Sequence, residues 1–145
     1  MNVAMKLIGI SAFAMLLGCG HSTDLPETAD VEGVVTYQGQ PLSSASVIFS
    51  PESGPIAMGV TDQNGVFHLK TQGSDGAKIG NHQVTVQAMG IPGGGAVTSV
   101  DPKTGRDLTV KMVSQIPEKY GIVGESGLTA VVERKKQNEF RFDLK

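Results

Sequence analysis

The chain has 145 residues, with 12 Lys and Arg against 14 Asp and Glu, a formal net charge of −2 at pH 7. This balance leaves no basic surface to hold nucleic acid or an anionic membrane, and both are excluded as electrostatic partners. The single cysteine excludes a disulfide within the chain. Nineteen Gly, seven Pro and no Trp favour one all-β domain of short strands and turns over a helical bundle.

The first 18 residues have the pattern of a secretory signal. Lys6 and the amino terminus supply positive charge, and residues 7–17 form a largely apolar run. That run is too short to span a bilayer as a helix, which takes about 20 apolar residues. Gly18 and Cys19 follow it directly. Two plainer interpretations stay open: Cys19 is a chance residue at an ordinary cleavage site, or the run is a retained membrane anchor.

The same boundary resembles a bacterial lipobox, because Leu16 and Gly18 stand three residues and one residue before Cys19. The resemblance implies cleavage after Gly18 and lipidation of the Cys19 thiol. It further implies an exported chain that is anchored through this lipid to a membrane of the cell envelope. Gly20 in place of an Asp after the cysteine favours the outer membrane over the inner one.

The predicted organisation is a signal peptide (1–18), the lipidated cysteine with a flexible tether (19–30) and a folded domain (31–145). The tether is small and polar and shows no apolar periodicity. His21 lies within it without a set of metal ligands at suitable spacing, which favours a solvated side chain over a metal ligand.

Within the domain, apolar and polar residues alternate with a period of two, which predicts strands of a half-buried sheet. The predicted strands and extended segments are residues 31–37, 45–50, 57–61, 66–71, 82–89, 128–132 and 139–144, with 108–113 as a strand or edge segment. Val47 and Phe49 face the predicted core, where each contributes about 1.5–3 kcal/mol on burial. Leu42 is expected to plug the core after the preceding turn.

Two turns join these predicted strands. Asp62, Asn64 and Gly65 permit either a hairpin turn or a calcium loop. The terminal Glu and further oxygen ligands of an EF-hand loop are missing, which favours the hairpin turn. The charged residues 133–138 are predicted to join the last two strands as a hairpin, with Phe140 and Phe142 on one face.

A long irregular region is predicted from Met89 to about Arg106, and it contains three consecutive glycines, Gly93, Gly94 and Gly95. They do not precede a helix, and the Lys-Ser/Thr of a phosphate-binding loop is absent, which favours a surface excursion over a phosphate site. Loops on a rigid scaffold commonly carry contacts. This region and the turn around Tyr120 are therefore the candidate binding loops for an envelope protein or glycan.

His82 is predicted to point inward among valines, whereas His68 is predicted to be exposed. Because imidazole titrates near neutral pH, an inward histidine suggests a catalytic base. No partner nucleophile or set of metal ligands accompanies it, which favours a structural histidine. A periplasmic hydrolase, or an accessory subunit of one, with a site near His82 stays as the alternative. No metal or cofactor site is predicted.

The order of several short motifs resembles the carboxypeptidase regulatory-like, or transthyretin-like, domain. These motifs are Val31-x-Gly33-x-Val35, Gly39-x-Pro41-Leu42, Ala45-x-Val47-x-Phe49, Thr61-Asp62-x-x-Gly65-x-Phe67-x-Leu69 and Gly80-x-His82-x-Val84-x-Val86. The tail is similar to the ending of a family of small bacterial lipoproteins that carry this domain: Ile116-Pro117-x-Lys119-Tyr120, Ser126-Gly127-Leu128-Thr129 and Asn138-x-Phe140-x-Phe142-Asp143-Leu144.

The resemblance covers nearly the whole mature chain and implies an antiparallel Greek-key β-sandwich of about seven strands. It implies no reaction, and the domain name does not indicate peptidase chemistry. His82 departs from the aromatic residue that such domains commonly carry there. Residues 124–128 also miss the G-x-S-x-G nucleophile pattern at their last position. The sequence therefore predicts no enzyme, but an envelope lipoprotein whose sandwich is a binding or structural module.

Overall fold

The computed structural model describes residues 26–91, 103–105, 112–134 and 137–145. In these residues nearly all regular structure is β, together with one 3₁₀ helix, Glu118–Gly121. The strands are β1 Thr28–Ala29, β2 Val31–Tyr37, β3 Gln40–Pro41, β4 Ser46–Pro51, β5 Ala57–Val60, β6 Val66–His68, β7 Lys70–Thr71, β8 Ser74–Asp75, β9 Ala77–Lys78, β10 Gly80–Gln87, β11 Met89–Gly90, β12 Val113–Ser114, β13 Leu128–Val132 and β14 Asn138–Leu144. The all-β prediction is confirmed.

The larger sheet has the strand order β13-β10-β4-β5-β7-β8, and all of its neighbours are antiparallel. β10 lies between β13 and β4, and five or more residue pairs join it to each of them. His82, Val84 and Val86 lie on its inner face and are buried, as their alternation predicts. The outer face of β10 carries Asn81 and Gln83, which are exposed.

The smaller sheet has the order β14-β2-β3, and β6 also pairs with β2. β14 is parallel to β2, with Asn138 beside Val31 and Leu144 beside Tyr37. The predicted final hairpin is therefore wrong, because β13 belongs to the larger sheet and pairs with β10. Alternation places each strand's apolar side inward, but it does not choose a partner strand.

Asn138 fixes the chain where it passes from one sheet to the other. Its side-chain oxygen accepts a hydrogen bond from the Glu133 backbone N–H at 2.8 Å, and its amide nitrogen donates to the carbonyls of Asp30 and Glu133 at 3.1 Å. The side chain is buried, so these bonds satisfy groups that water does not reach. They set the start of β14 beside β2.

The core between the two sheets is centred on Phe49 of β4, whose ring is fully buried. The centroid of this ring lies 6.3 Å from that of Phe67, 5.5 Å from Phe140 and 6.1 Å from Phe142. The His82 ring lies 5.6 Å from it. Phe49 therefore joins the larger sheet to β6 and β14 of the smaller one, in the tilted and edge-on arrangements that aromatic pairs favour.

The segment 66–71 begins in the smaller sheet and ends in the larger one. β6 pairs with β2, whereas Lys70 of β7 pairs with Met58 of β5. The turn predicted before it is formed, because the Asp62 carboxylate accepts hydrogen bonds from the backbone N–H groups of Asn64 at 2.8 Å and Val66 at 2.9 Å. The turn does not join two paired strands, because β5 before it belongs to the larger sheet, whereas β6 after it pairs with β2 of the smaller sheet.

Strand pairing starts earlier in the chain than predicted. Thr28 and Ala29 pair with Lys78 and Ala77 of β9, three residues before the predicted domain start. The Ile79 backbone N–H also donates to the Glu27 carbonyl at 3.2 Å. The chain between Cys19 and the first paired residue is therefore shorter than the predicted tether.

Candidate functional site

Several predicted functional residues lie outside the described part of the chain. These are Gly18 and Cys19, at the predicted lipidation and cleavage site, and Gly93, Gly94 and Gly95, in the predicted binding loop. The strands that flank this loop are described: Met89 pairs with Ser114, and Gly90 with Val113. None of the helices among the described residues is long and apolar enough to cross a membrane.

Tyr120, the other residue of the predicted binding loops, is 7% exposed. Its hydroxyl donates a hydrogen bond to the Lys145 carbonyl at 3.2 Å and accepts one from the Lys145 backbone N–H at 3.0 Å. The Tyr120 side chain therefore holds the end of β14, and the binding loop around it stays a prediction. Ile122 and Val123, which follow it, are the exposed apolar residues of this turn.

His82 is 3% exposed, as predicted for an inward residue. Its Nε2 lies 2.7 Å from the Lys78 carbonyl oxygen, so this nitrogen carries the proton and donates. Nδ1 is buried and has no hydrogen-bond partner among the described residues. Since no described carboxylate, hydroxyl or thiol bonds to the ring, the contacts of His82 include neither a nucleophile nor an orienting acid.

The remaining histidine of the domain, His68, is exposed, as its alternation predicts. Among the described residues, no group of three or more His, Cys, Asp and Glu side chains could hold a metal ion. The Asp62 carboxylate is occupied by two backbone N–H groups of its own turn. These contacts stabilise the turn itself.

A groove of about 740 Å³ lies at the end of the sandwich where the described chain begins. Its lining includes the carboxylates of Glu27 and Glu32 together with Arg134 and His68. Arg134 Nη2 lies 2.6 Å from Glu27 Oε2, and His68 Nδ1 lies 3.9 Å from Glu32 Oε2. Asp30 and Asp75 also line the groove, and the Asp75 carboxylate pairs with Lys70 at 3.0 Å.

A second depression, of about 440 Å³, lies over the outer face of the larger sheet, and we call it the sheet depression. Pairing places Gln83 of β10 directly between Thr129 of β13 and Ser50 of β4. The next outward residue of β10, Asn81, lies beside Val131 of β13. The described residues that line it are Ser50, Pro51, Glu52, Asn81, His82, Gln83, Val123, Thr129, Ala130 and Val131.

Apart from His82, which bonds to the Lys78 carbonyl, the polar side chains of the sheet depression have no hydrogen-bond partners within the described part of the chain. Their groups are two amides, two hydroxyls and one carboxylate, from Asn81, Gln83, Ser50, Thr129 and Glu52. The side-chain bonds elsewhere in the fold, such as those of Asn138 and Asp62, show that polar groups with a structural role are paired. The depression therefore combines concave shape with free hydrogen-bonding capacity, as small-ligand sites do.

Sequence reasoning placed Gln83 on the outward face of its strand but gave no sign of this site. Its polar partners come from three strands that are distant in sequence, and the register that aligns them is a property of the folded sheet. No family model, curated protein or solved structure matches the chain. The geometry of the described residues and the sequence motifs are therefore the basis for assigning a function.

Proposed function

We propose that this protein is a lipid-anchored lipoprotein of the cell envelope whose β-sandwich acts as a binding module. The proposal includes cleavage after Gly18, lipidation of Cys19 and anchoring, with the outer membrane favoured over the inner one. It also includes membership of the carboxypeptidase regulatory-like, or transthyretin-like, group that the motifs resemble. The all-β fold is compatible with that resemblance.

The anchor is supported by the sequence before the domain and by the point where strand pairing starts. Eight residues, 20–27, separate Cys19 from β1. As a flexible coil, they would hold the first strand on the order of 16 Å from the lipid. The module would then work close to the membrane surface, where its ligand would be another component of the envelope.

The observation that carries the binding role is the sheet depression, because its five polar side chains are not used by the fold. These side chains lie in a concave part of the surface, where they can bond to a ligand in place of water. His82 also lines the depression, but it is 3% exposed, and its described contacts are the Lys78 carbonyl and the Phe49 ring. The hydrolase alternative therefore has less support than the binding role.

The anchor is tested by metabolic labelling with a fatty-acid probe in the wild type and in Cys19→Ala. We expect label in the wild-type protein and none in the variant, because the proposed acceptor is the Cys19 thiol. Equal labelling of both proteins would refute the lipidation of Cys19.

The binding role is tested by recovering envelope components with the solubilised protein. A Gln83→Ala variant tests the depression, and deletion of residues 93–104 tests the loop that the sequence singled out. We expect both proteins to fold and at least one to lose the bound component. The same components on all three proteins would contradict binding through either surface.

A further inference from the structure

We propose that the sheet depression binds a carbohydrate, namely a neutral oligosaccharide that presents hydroxyl and amide groups. The inference rests on the binding role proposed above and assigns a ligand class to the same surface. Three properties of the depression carry it: its position within the sheet, its hydrogen-bonding groups and its charge.

The depression lies over β10, which is an interior strand of the larger sheet. Both neighbours of β10 pair with it here, since Gln83 is in register with Thr129 on one side and Ser50 on the other. Its backbone N–H and C=O groups are therefore used within the sheet. A peptide that adds a strand needs a free sheet edge, which β10 does not have. β13, which also lines the depression, is the edge strand of the larger sheet, but the centre of the depression lies over β10. Recognition at this place depends on side chains.

These side chains can both donate and accept hydrogen bonds. The amides of Asn81 and Gln83 each provide two donors and an acceptor, and the hydroxyls of Ser50 and Thr129 do both. Sugar hydroxyls also donate and accept, so each of these side chains can pair with a sugar hydroxyl as donor or as acceptor. Neighbouring strands are about 4.8 Å apart, and Asn81 and Gln83 are separated by about 6.7 Å along their strand. Several groups of one sugar chain can therefore be reached together.

The charge of the depression selects against anionic ligands. Among the described residues, Glu52 is the one Asp, Glu, Lys or Arg side chain that lines it. A carboxylate accepts hydrogen bonds from sugar hydroxyls but repels phosphate and carboxylate groups. Val123 and Val131, each 57% exposed, add apolar surface against which the C–H face of a sugar ring can pack. The combination matches a neutral sugar better than a nucleotide or an acidic glycan.

The test is isothermal titration of the detergent-solubilised full chain with two neutral probes, the β-1,4-linked tetramers of N-acetylglucosamine and of glucose. Gln83→Ala removes one amide from the depression. Gln87→Ala is the matched control, because Gln87 has the same side chain on the same strand and outer face but does not line the depression. Its amide donates one long hydrogen bond, to the Gly121 carbonyl at 3.4 Å. We expect at least one probe to bind, and its affinity to fall about two- to tenfold in Gln83→Ala, the range of one hydrogen bond.

The Gln87→Ala variant is expected to bind the probe as the wild type does. Binding that is equal in Gln83→Ala and the wild type, or no binding of either tetramer to the wild type, would overturn the carbohydrate assignment. If neither tetramer binds the wild type, but Gln83→Ala loses an envelope protein that co-purifies with the wild type, the ligand is a protein and the proposed binding role stands. The fatty-acid labelling of Cys19 tests the anchor separately, so a failed anchor and a failed ligand class give different results.

Discussion

Replacing Gly33 by alanine should strongly destabilise the sandwich. Gly33 lies in the middle of β2, between Phe140 of β14 and Phe67 of β6. A Cβ atom there would lie 2.5 Å from Phe67 Cζ and 2.6 Å from the Phe140 carbonyl oxygen. Phe67 is fully buried among other aromatic rings, and the Phe140 oxygen belongs to the backbone of a paired strand. Neither atom can move aside without disturbing the core or the β14–β2 pairing.

The expected cost follows from these two contacts. Overpacking of a filled core costs about 1–3 kcal/mol and occasionally more. Restricting the unfolded chain by Gly→Ala returns about 0.4–1 kcal/mol. Because one of the contacts is with backbone, we expect the upper part of the first range and a net loss of about 2 kcal/mol. For a domain of this size, this corresponds to a fall in Tm of roughly 8 °C.

The assay is thermal and urea unfolding followed by circular dichroism. The matched control is Gly121→Ala, where the nearest atom to a new Cβ is Gln87 Cγ at 3.1 Å, in a flexible exposed side chain. We expect this control to change the free energy of unfolding by less than about 1 kcal/mol. If Gly33→Ala unfolds at the same temperature as the control, the close packing of β2 against β6 and β14 is refuted.

Three further substitutions test individual contacts by the same unfolding assay. His82→Phe should change the free energy of unfolding by less than about 1 kcal/mol, because it removes one hydrogen bond to Lys78 together with a buried unpaired nitrogen. Asp62→Ala should cost about 1–2 kcal/mol, since two backbone N–H groups lose their acceptor. Tyr120→Phe should cost about 1 kcal/mol through loss of its hydrogen bonds to Lys145.

Each of these substitutions has a result that contradicts its reasoning. A loss above about 2 kcal/mol in His82→Phe would mean that the imidazole makes a further essential contact. An Asp62→Ala protein as stable as an Asn64→Ala control would show that the carboxylate does not hold the turn. Wild-type stability in Tyr120→Phe would show that the phenol hydroxyl does not hold the end of β14.

The sequence predicted the faces of the strands better than their partners. Alternation correctly placed Val47, Phe49 and His82 inside, because side chains of a strand point to opposite faces in turn. It could not show that β14 would pair in parallel with β2, since the same apolar face satisfies either sheet. The adjacency of the last two strands in the chain suggested a hairpin, but the chain between them passes from one sheet to the other.

The same is true of the sheet depression: the sequence predicted the face on which a side chain lies, but not which side chains come together. The outward position of Gln83 followed from alternation, but the depression also needs Ser50, Thr129 and Val123 from other parts of the chain. Their meeting depends on strand register and on the turn after the 3₁₀ helix. The burial of Tyr120 could not be predicted for a related reason. A tyrosine in a turn resembles an exposed contact residue until its hydroxyl is seen to bond to Lys145.

The most direct test of the proposed lipoprotein is the intact mass and amino-terminal sequence of the protein purified from membranes. The proposal predicts a chain that begins at Cys19 and carries the added mass of fatty acyl groups on that residue. A chain that still contains residues 1–18, or one that begins at an unmodified Cys19, would contradict it.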